Sequence, residues 1–152
     1  MIEGQNQTDV TIEQLFKIGS GWCAFRNDSN QWIQISREKA VVWQGIEVQG
    51  RHDADMWARA IRIESSDDGN EWTPLVPSDH DRYICQESDN CTASDRLDFL
   101  FAASKDRDSV KSIMFETLSA YPFVVRSKLL RVRVAKWEGW PCLRLEAYQI
   151  SP

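Results

Sequence analysis

No stretch of this chain approaches the ~20 consecutive apolar residues that cross a bilayer as a helix. There is no Cys-x-x-Cys pair, and the two histidines, His52 and His80, stand apart, which argues against a zinc site. Basic residues are outnumbered: 18 Lys and Arg face 23 Asp and Glu, a net charge of −5. A nucleic-acid binder needs a basic face to displace counterions, so no nucleic-acid partner is expected. The same balance weakens attraction to anionic membrane. No internal repeat, low-complexity tract or long helical periodicity is present. The start, Met1-Ile2-Glu3-Gly4-Gln5-Asn6-Gln7, is polar and has no signal-peptide core. Taken alone this start favours the cytosol; the cysteines favour instead a boundary from which any leader has been removed.

The 152 residues suit a single domain, 1–152, with residues 1–18 as a lead-in segment. Apolar residues make up 42% and charged residues 27%, enough to bury a core without metal or partner. Seven tryptophans allow one or two to serve a binding surface.

Alternation of apolar and polar residues is the dominant local signal. Residues 31–36 and 40–49 read as two strands and 58–65 as a third. The turn Asp67-Asp68-Gly69-Asn70 then leads into a strand from Glu71 that Pro74 and Pro77 end. Leu15-Phe16-Lys17-Ile18 is the one apolar patch before residue 21. Residues 77–96 are acidic and turn-rich. Residues 97–103 return to apolar character, Lys105-Asp106-Arg107-Asp108 is a charged turn, and 110–118 and 121–125 are apolar-rich. Leu129 to Val134 and Leu143 to Tyr148 alternate again, on either side of the turn Trp137-Glu138-Gly139-Trp140-Pro141. Short strands with frequent turns predict an all-β antiparallel sandwich or barrel.

Four cysteines permit two disulfides in three connectivities. Cys85 and Cys91 would close a small loop and stiffen the polar insertion. Cys23 and Cys142 would then join the two ends, a bridge contributing up to ~5 kcal/mol by the loop-entropy relation. Four free thiols in a reducing compartment are the alternative. Asn-x-Ser/Thr triplets at Asn6, Asn27 and Asn90 fit a secreted protein.

Between the strands, residues 51–55 gather side chains suited to a ligand. Arg51 offers a planar fork for a carboxylate, sulfate or pair of sugar hydroxyls, or else an ion pair with Asp53 or Asp55. His52, Asp53 and Asp55 suit sugar hydroxyls or Ca²⁺, or form a solvated loop. Trp140, in its Gly-Trp-Pro turn, would stack on a sugar or enter lipid, or else form a lid over the sandwich edge. Trp32, Trp72 and Trp137 are expected in the core, with Trp57 buried; Met56 reads either way, as core or as membrane spike. Ser20, His52 and Asp53 do not form a recognisable triad, nor do Asp53 and Glu138 form a glycosidase pair, so no enzyme is expected. No cofactor is called for.

Several of these stretches together resemble the discoidin domain, also called the coagulation factor V/VIII type C domain. They are Gln31-Trp32-Ile33-Gln34-Ile35, Gly45-Ile46-Glu47-Val48-Gln49-Gly50-Arg51, Trp57, and Ser66-Asp67-Asp68-Gly69-Asn70-Glu71-Trp72. Arg126, Leu130-Arg131-Val132 and the closing Leu143-Arg144-Leu145-Glu146 complete the set. The resemblance implies an eight-stranded jelly-roll-like β-sandwich that binds glycans, phospholipids or collagen at loops on one end. Trp22-Cys23 and Cys142-Leu143-Arg144 resemble the collagen-receptor branch, which implies a Cys23–Cys142 disulfide. Gly19 stands where that branch places an acidic ligand contact, so collagen binding does not follow. The expected function is a secreted or cell-surface, non-catalytic module for a glycan or glycoprotein, using Arg51, His52, Asp53, Asp55 and Trp140. The alternatives are peripheral binding to anionic phospholipid and an intracellular interaction module.

Overall fold

Apolar side chains at every second position give each strand one face to bury, and the computed structural model assembles those faces around one core. It describes residues 7–10, 21–24, 26–93, 95, 99–118 and 124–150. Nine strands are found among them: β1 (Gln7–Val10), β2 (Trp22–Cys23), β3 (Trp32–Gln49), β4 (Trp57–Ser66), β5 (Thr73–Pro74), β6 (Phe101–Ala102), β7 (Lys111–Met114), β8 (Val125–Glu138) and β9 (Cys142–Ile150). Three of the nine are two-residue strands, and only β1 runs parallel to its partner. The architecture is the antiparallel β-sandwich expected. Helix is limited to single 3-10 turns, Glu87–Asp89 and Phe115–Thr117, among the described residues.

The hydrogen-bonded path runs β2-β9-β3-β8-β4-β5, and β3 is its hub. Its first residues, Trp32–Ser36, lie against Arg133–Leu129 of β8. Its last, Gly45–Gln49, lie against Tyr148–Arg144 of β9, while Gly45–Val48 also pair with β7. The register shifts between Ser36 and Val41 and again between Trp43 and Gly45. The two strands read at 31–36 and 40–49 are thus one strand, bent where irregularities interrupt its ladder. The bend lets a single strand serve both layers.

Ile33, Ile35, Trp43, Ile46 and Val48 from β3 meet Ile61 and Ile63 of β4, Leu130, Val132 and Val134 of β8, and Leu143 of β9. Each such side chain stabilises the fold by roughly 1.5–3 kcal/mol through burial. Trp43 is the largest fully buried residue, and its indole N–H donates to the Ser127 hydroxyl at 3.1 Å. Ser127 in turn donates to the Leu129 carbonyl at 2.9 Å, so no polar atom of this pair is stranded.

Two aromatic expectations need correction. Trp72 is not core: its indole donates to the Gly69 carbonyl at 3.1 Å, and its ring covers the Arg131 guanidinium at 3.8 Å. Arg131 is held from the other side by Trp32 at 3.7 Å, so Trp72 caps a cation rather than filling the interior. Trp57 is half-buried, not enclosed. Trp32 is buried, and Trp137 packs partly against the core. Leu15 to Ile18 and the loop Gly19-Ser20 lie outside the described residues.

Both disulfides are formed, Cys23–Cys142 and Cys85–Cys91, and no described cysteine is free. Cys23 and Cys142 are direct cross-strand partners in the β2–β9 ladder. The free-thiol alternative does not hold.

The acidic insertion does not hang loose. A second, small cluster of Ala60, Leu100 and Ala135, with Tyr83 and Cys85 against it, docks the segment on the outer side of β4 and β8. Asp89 fastens it. Its carboxylate accepts from Arg59 Nη2 and from the Tyr83 hydroxyl, both at 2.6 Å, and from the Gln86 N–H at 2.8 Å. Lys136 Nζ donates to the Asp89 carbonyl at 3.2 Å and to Asp95 at 3.1 Å.

Candidate functional site

Leaving β3, the chain must turn at once to start β4, and Gly50 makes the turn possible. A Cβ there would sit 2.6 Å from Arg107 Cα and 2.8 Å from Trp57 Cβ, closer than packing tolerates. The loop that follows closes on itself, with Arg51 N–H donating to the Met56 carbonyl at 2.9 Å and Met56 N–H to Ala54 at 2.8 Å. Arg144 secures it from β9. Its Nε donates to the Gly50 carbonyl at 2.7 Å, and its Nη2 donates to the Arg107 carbonyl at 2.8 Å and pairs with Asp108 at 3.2 Å. A single β9 arginine therefore ties the 50–56 loop to the 105–109 turn. Asp106 shapes that turn by accepting the N–H groups of Asp108 and Ser109 at 3.0 and 2.6 Å.

The turn between β8 and β9 completes the rim. Gly139 adopts φ +72°, and a Cβ there would lie 2.8 Å from the Asp55 carbonyl oxygen and 3.1 Å from Met56 Cγ. Beside it, Trp140 is half-buried, with its indole N–H on the Ala24 carbonyl at 2.8 Å. Arg51 rests on the adjoining residue: its Nη1 donates to Cys23 Sγ at 3.3 Å. Arg51 and Trp140 thus share the Cys23–Ala24 segment as their support, and the disulfide fixes that segment to β9.

Of the expected site residues, the fold brings Arg51, His52, Asp53, Asp55 and Trp140 to this one end. Arg51 makes the ion pair with Asp53, Nε to Oδ1 at 2.5 Å, and that hydrogen bond holds the Asp53 carboxyl below its usual range. Among the described residues, Arg51 Nη2 has no protein partner. Asp55 is exposed, and among the described residues its carboxylate meets Arg107 alone, at 3.8 Å. His52 is exposed. Met56 is held inward, its sulfur 3.9 Å from Cys142 Sγ. No group of three His, Cys, Asp or Glu among the described residues is placed to hold a metal ion. Chemically the rim offers a fixed guanidinium fork, carboxylate acceptors and an indole, a set that matches a polyhydroxylated or mixed polar ligand.

Three contributing residues were not picked out from the sequence. Arg107 and Asp108 looked like part of a charged turn, yet the 105–109 segment stands beside Asp55. Arg144 was part of the closing motif, but nothing in its spacing signals that it braces the rim. A cavity of about 530 Å³ on the flank was also unforeseen. It is lined by Arg62, Glu64, Arg133, Asn30, Thr92 and Phe99 among others. Its charges are already matched: Arg62 with Asp95 at 3.1 Å and Arg133 with Glu64 at 3.6 Å.

A β-sandwich whose end loops form a polar rim with one half-buried indole is the build of a ligand-binding module. The F5/8 type C domain family model matches residues 3–147, and the chain belongs to that family. Domains of the family are in general non-catalytic binding modules, typically extracellular, and the two disulfides fit that setting. The chain is 37% identical over 62 residues to the discoidin, CUB and LCCL domain-containing protein 2 of Rattus norvegicus, covering 40% of this chain and 8% of that protein. It is 24% identical over 127 residues to a chain of discoidin-1 from Dictyostelium discoideum, covering 84% of this chain and 40% of that one. Among solved structures, the wild-type discoidin II of Dictyostelium discoideum superposes with a TM-score of 0.66 at 19% identity, over 87% of this chain and 42% of that chain. The chain therefore spans less than half the length of these relatives. No helix among the described residues is long and apolar enough to cross a membrane.

Proposed function

We infer that this domain is a secreted or cell-surface adhesion module that binds a glycan or glycoprotein at the rim formed by residues 50–56, 105–109 and 138–141. The observation that carries the reading is the state of Arg51. Its guanidinium is fixed by Asp53 and Cys23, and its Nη2 edge has no protein partner among the described residues. A fork held in place and left half-open loses little entropy when it takes a pair of sugar hydroxyls or a carboxylate. Asp53, Asp55 and His52 add hydrogen-bonding groups beside it, and the indole of Trp140 adds a face on which a sugar ring stacks.

Binding to anionic phospholipid is the competing reading. Asp53 and Asp55 repel such a headgroup, and Met56, packed beneath Gly139 and Cys142, is not displayed as an apolar spike. A glycan array probed with and without chelator, beside flotation on phosphatidylserine vesicles, tests the choice. The expected outcome is glycan binding that Arg51→Ala and Trp140→Ala each reduce at least tenfold. Strong flotation that Met56→Ala and Trp140→Ala abolish, with a silent array, would replace this reading with the membrane one.

A further inference from the structure

Three Asn-x-Ser/Thr triplets occur in the chain, and their surroundings differ. The one at Asn6 lies outside the described residues. Asn27-Asp28-Ser29 sits in the turn between β2 and β3. The middle residue builds that turn: Asp28 Oδ1 accepts the Asn30 N–H and the side-chain amide of buried Gln31, both at 2.9 Å. The flanking residues are exposed, and neither the Asn27 amide nor the Ser29 hydroxyl has a protein partner among the described residues.

Asn90-Cys91-Thr92 is also exposed but locked. Cys91 is bridged to Cys85, and Asn90 itself is in the left-handed region at φ 51°. The Thr92 hydroxyl accepts the Asp95 N–H at 3.2 Å, and the Thr92 N–H returns to Asp95 Oδ2 at 3.0 Å. Asp95 in turn holds Arg62 and Lys136, each at 3.1 Å. Freeing this triplet means opening a disulfide loop and breaking a charge network.

We propose that Asn27 carries an N-linked glycan and that closure of the Cys85–Cys91 loop withholds Asn90 from the same modification. The proposal rests on the extracellular reading, because only the oxidising secretory route supplies the reaction. The co-reactant is a lipid-linked glycosyl diphosphate. Asn27 Nδ2 bonds to C1 of its sugar, the C1–O bond to phosphate breaks, the diphosphate keeps the electron pair, and Nδ2 gives up one proton. The attached sugar would stand at the mouth of the flank cavity, which Ser29 helps to line, and in neither the 50–56 loop nor the 138–141 turn.

The full chain secreted from a eukaryotic host behind a cleavable leader provides the test. The leader fixes the compartment, so a negative result here is separate from an error about where the protein naturally resides. Glycopeptide mapping should find Asn27 modified, Asn27→Gln should remove that mass, and Asn90 should be bare. In Cys85→Ser, Asn90 should gain a glycan. If that variant is not secreted, brief exposure of producing cells to dithiothreitol should give the same gain on the unaltered chain. A bare Asn27 in secreted protein would overturn the proposal. So would a glycosylated Asn90 in molecules whose Cys85–Cys91 bond is closed, or an Asn90 that stays bare after both ways of opening the loop.

Discussion

The rim and the flank are both built from loops crowded with charge, yet they handle that charge in opposite ways. On the flank, Arg59 is 27% exposed and its partner Asp89 only 1%. On the rim, Arg51 is 36% exposed, Asp53 47% and Asp55 83%. Removing a pair from water costs free energy that only a full set of hydrogen bonds repays, so a buried, saturated carboxylate such as Asp89 marks architecture. A fixed but unsaturated group such as Arg51 remains available to a ligand. Charge density alone does not distinguish the two; saturation does.

Each region also has its own disulfide, and breaking them should separate the two most strongly. Replacing Cys23 and Cys142 together by Ser releases a loop with a sequence separation of 119 and should cost about 5 kcal/mol by the loop-entropy relation. A large fall in Tm measures it. The matching change at Cys85 and Cys91, with a separation of 6, should cost about 2 kcal/mol. Its effect should be local, with hydrogen exchange rising in residues 82–92 while the β3–β8 ladder stays protected.

Asp89→Ala comes next in size. It strands Arg59 and Tyr83 and should weaken docking of the insertion by about 2 kcal/mol, read by the same local exchange. Acid offers a milder version. Burial pushes the Asp89 carboxyl up, but the hydrogen bonds from Tyr83, Gln86 and Arg59 outweigh it and leave the group below its usual range. Asp95 follows the same pattern, with burial opposed by the Thr92 N–H, Lys136 and Arg62. Both contribute stability above the ordinary carboxylate value of roughly 4, lost as pH falls through their lowered values. Burial, then the bond to Asp89, raises the Tyr83 phenol to about 12. Its contribution holds below the ordinary phenol value of roughly 10 and is lost as pH rises through the higher one. The insertion should therefore loosen at both extremes, and a phenolate titration by ultraviolet difference should show Tyr83 ionising above the ordinary phenol range. On the rim, Asp53→Ala should leave Tm where it is, because nothing buried depends on Asp53.

Elements with a local signal were legible in the sequence. Alternation located β4, β8 and β9, and spacing with the family resemblance paired the cysteines. Continuity of β3 was hidden because residues 37–39 break the alternation, and only pairing to two different partners keeps the strand whole. Trp72 sits between Glu71 and Thr73, and Trp43 between Val42 and Gln44. Their fates diverge because Arg131, distant in the chain, offers Trp72 a cation, whereas Ser127 offers Trp43 a buried acceptor. At the rim, Arg51 to Asp55 were visible as a dense loop. Arg144 and Arg107 were not, because their roles exist only once β9 and the 105–109 turn arrive beside Gly50. Asp89 was one acid among many in a polar stretch; Arg59 and Tyr83 single it out only after the insertion folds back.

Arg51→Ala and Asp89→Ala, compared side by side for glycan-array binding and Tm, weigh the two regions against each other. Arg51→Ala should lose glycan binding and keep the parent Tm, and Asp89→Ala should lower Tm while still binding once folded. Unimpaired binding by Arg51→Ala, together with loss of binding by folded Asp89→Ala, would move the ligand to the flank and contradict this reading of the rim.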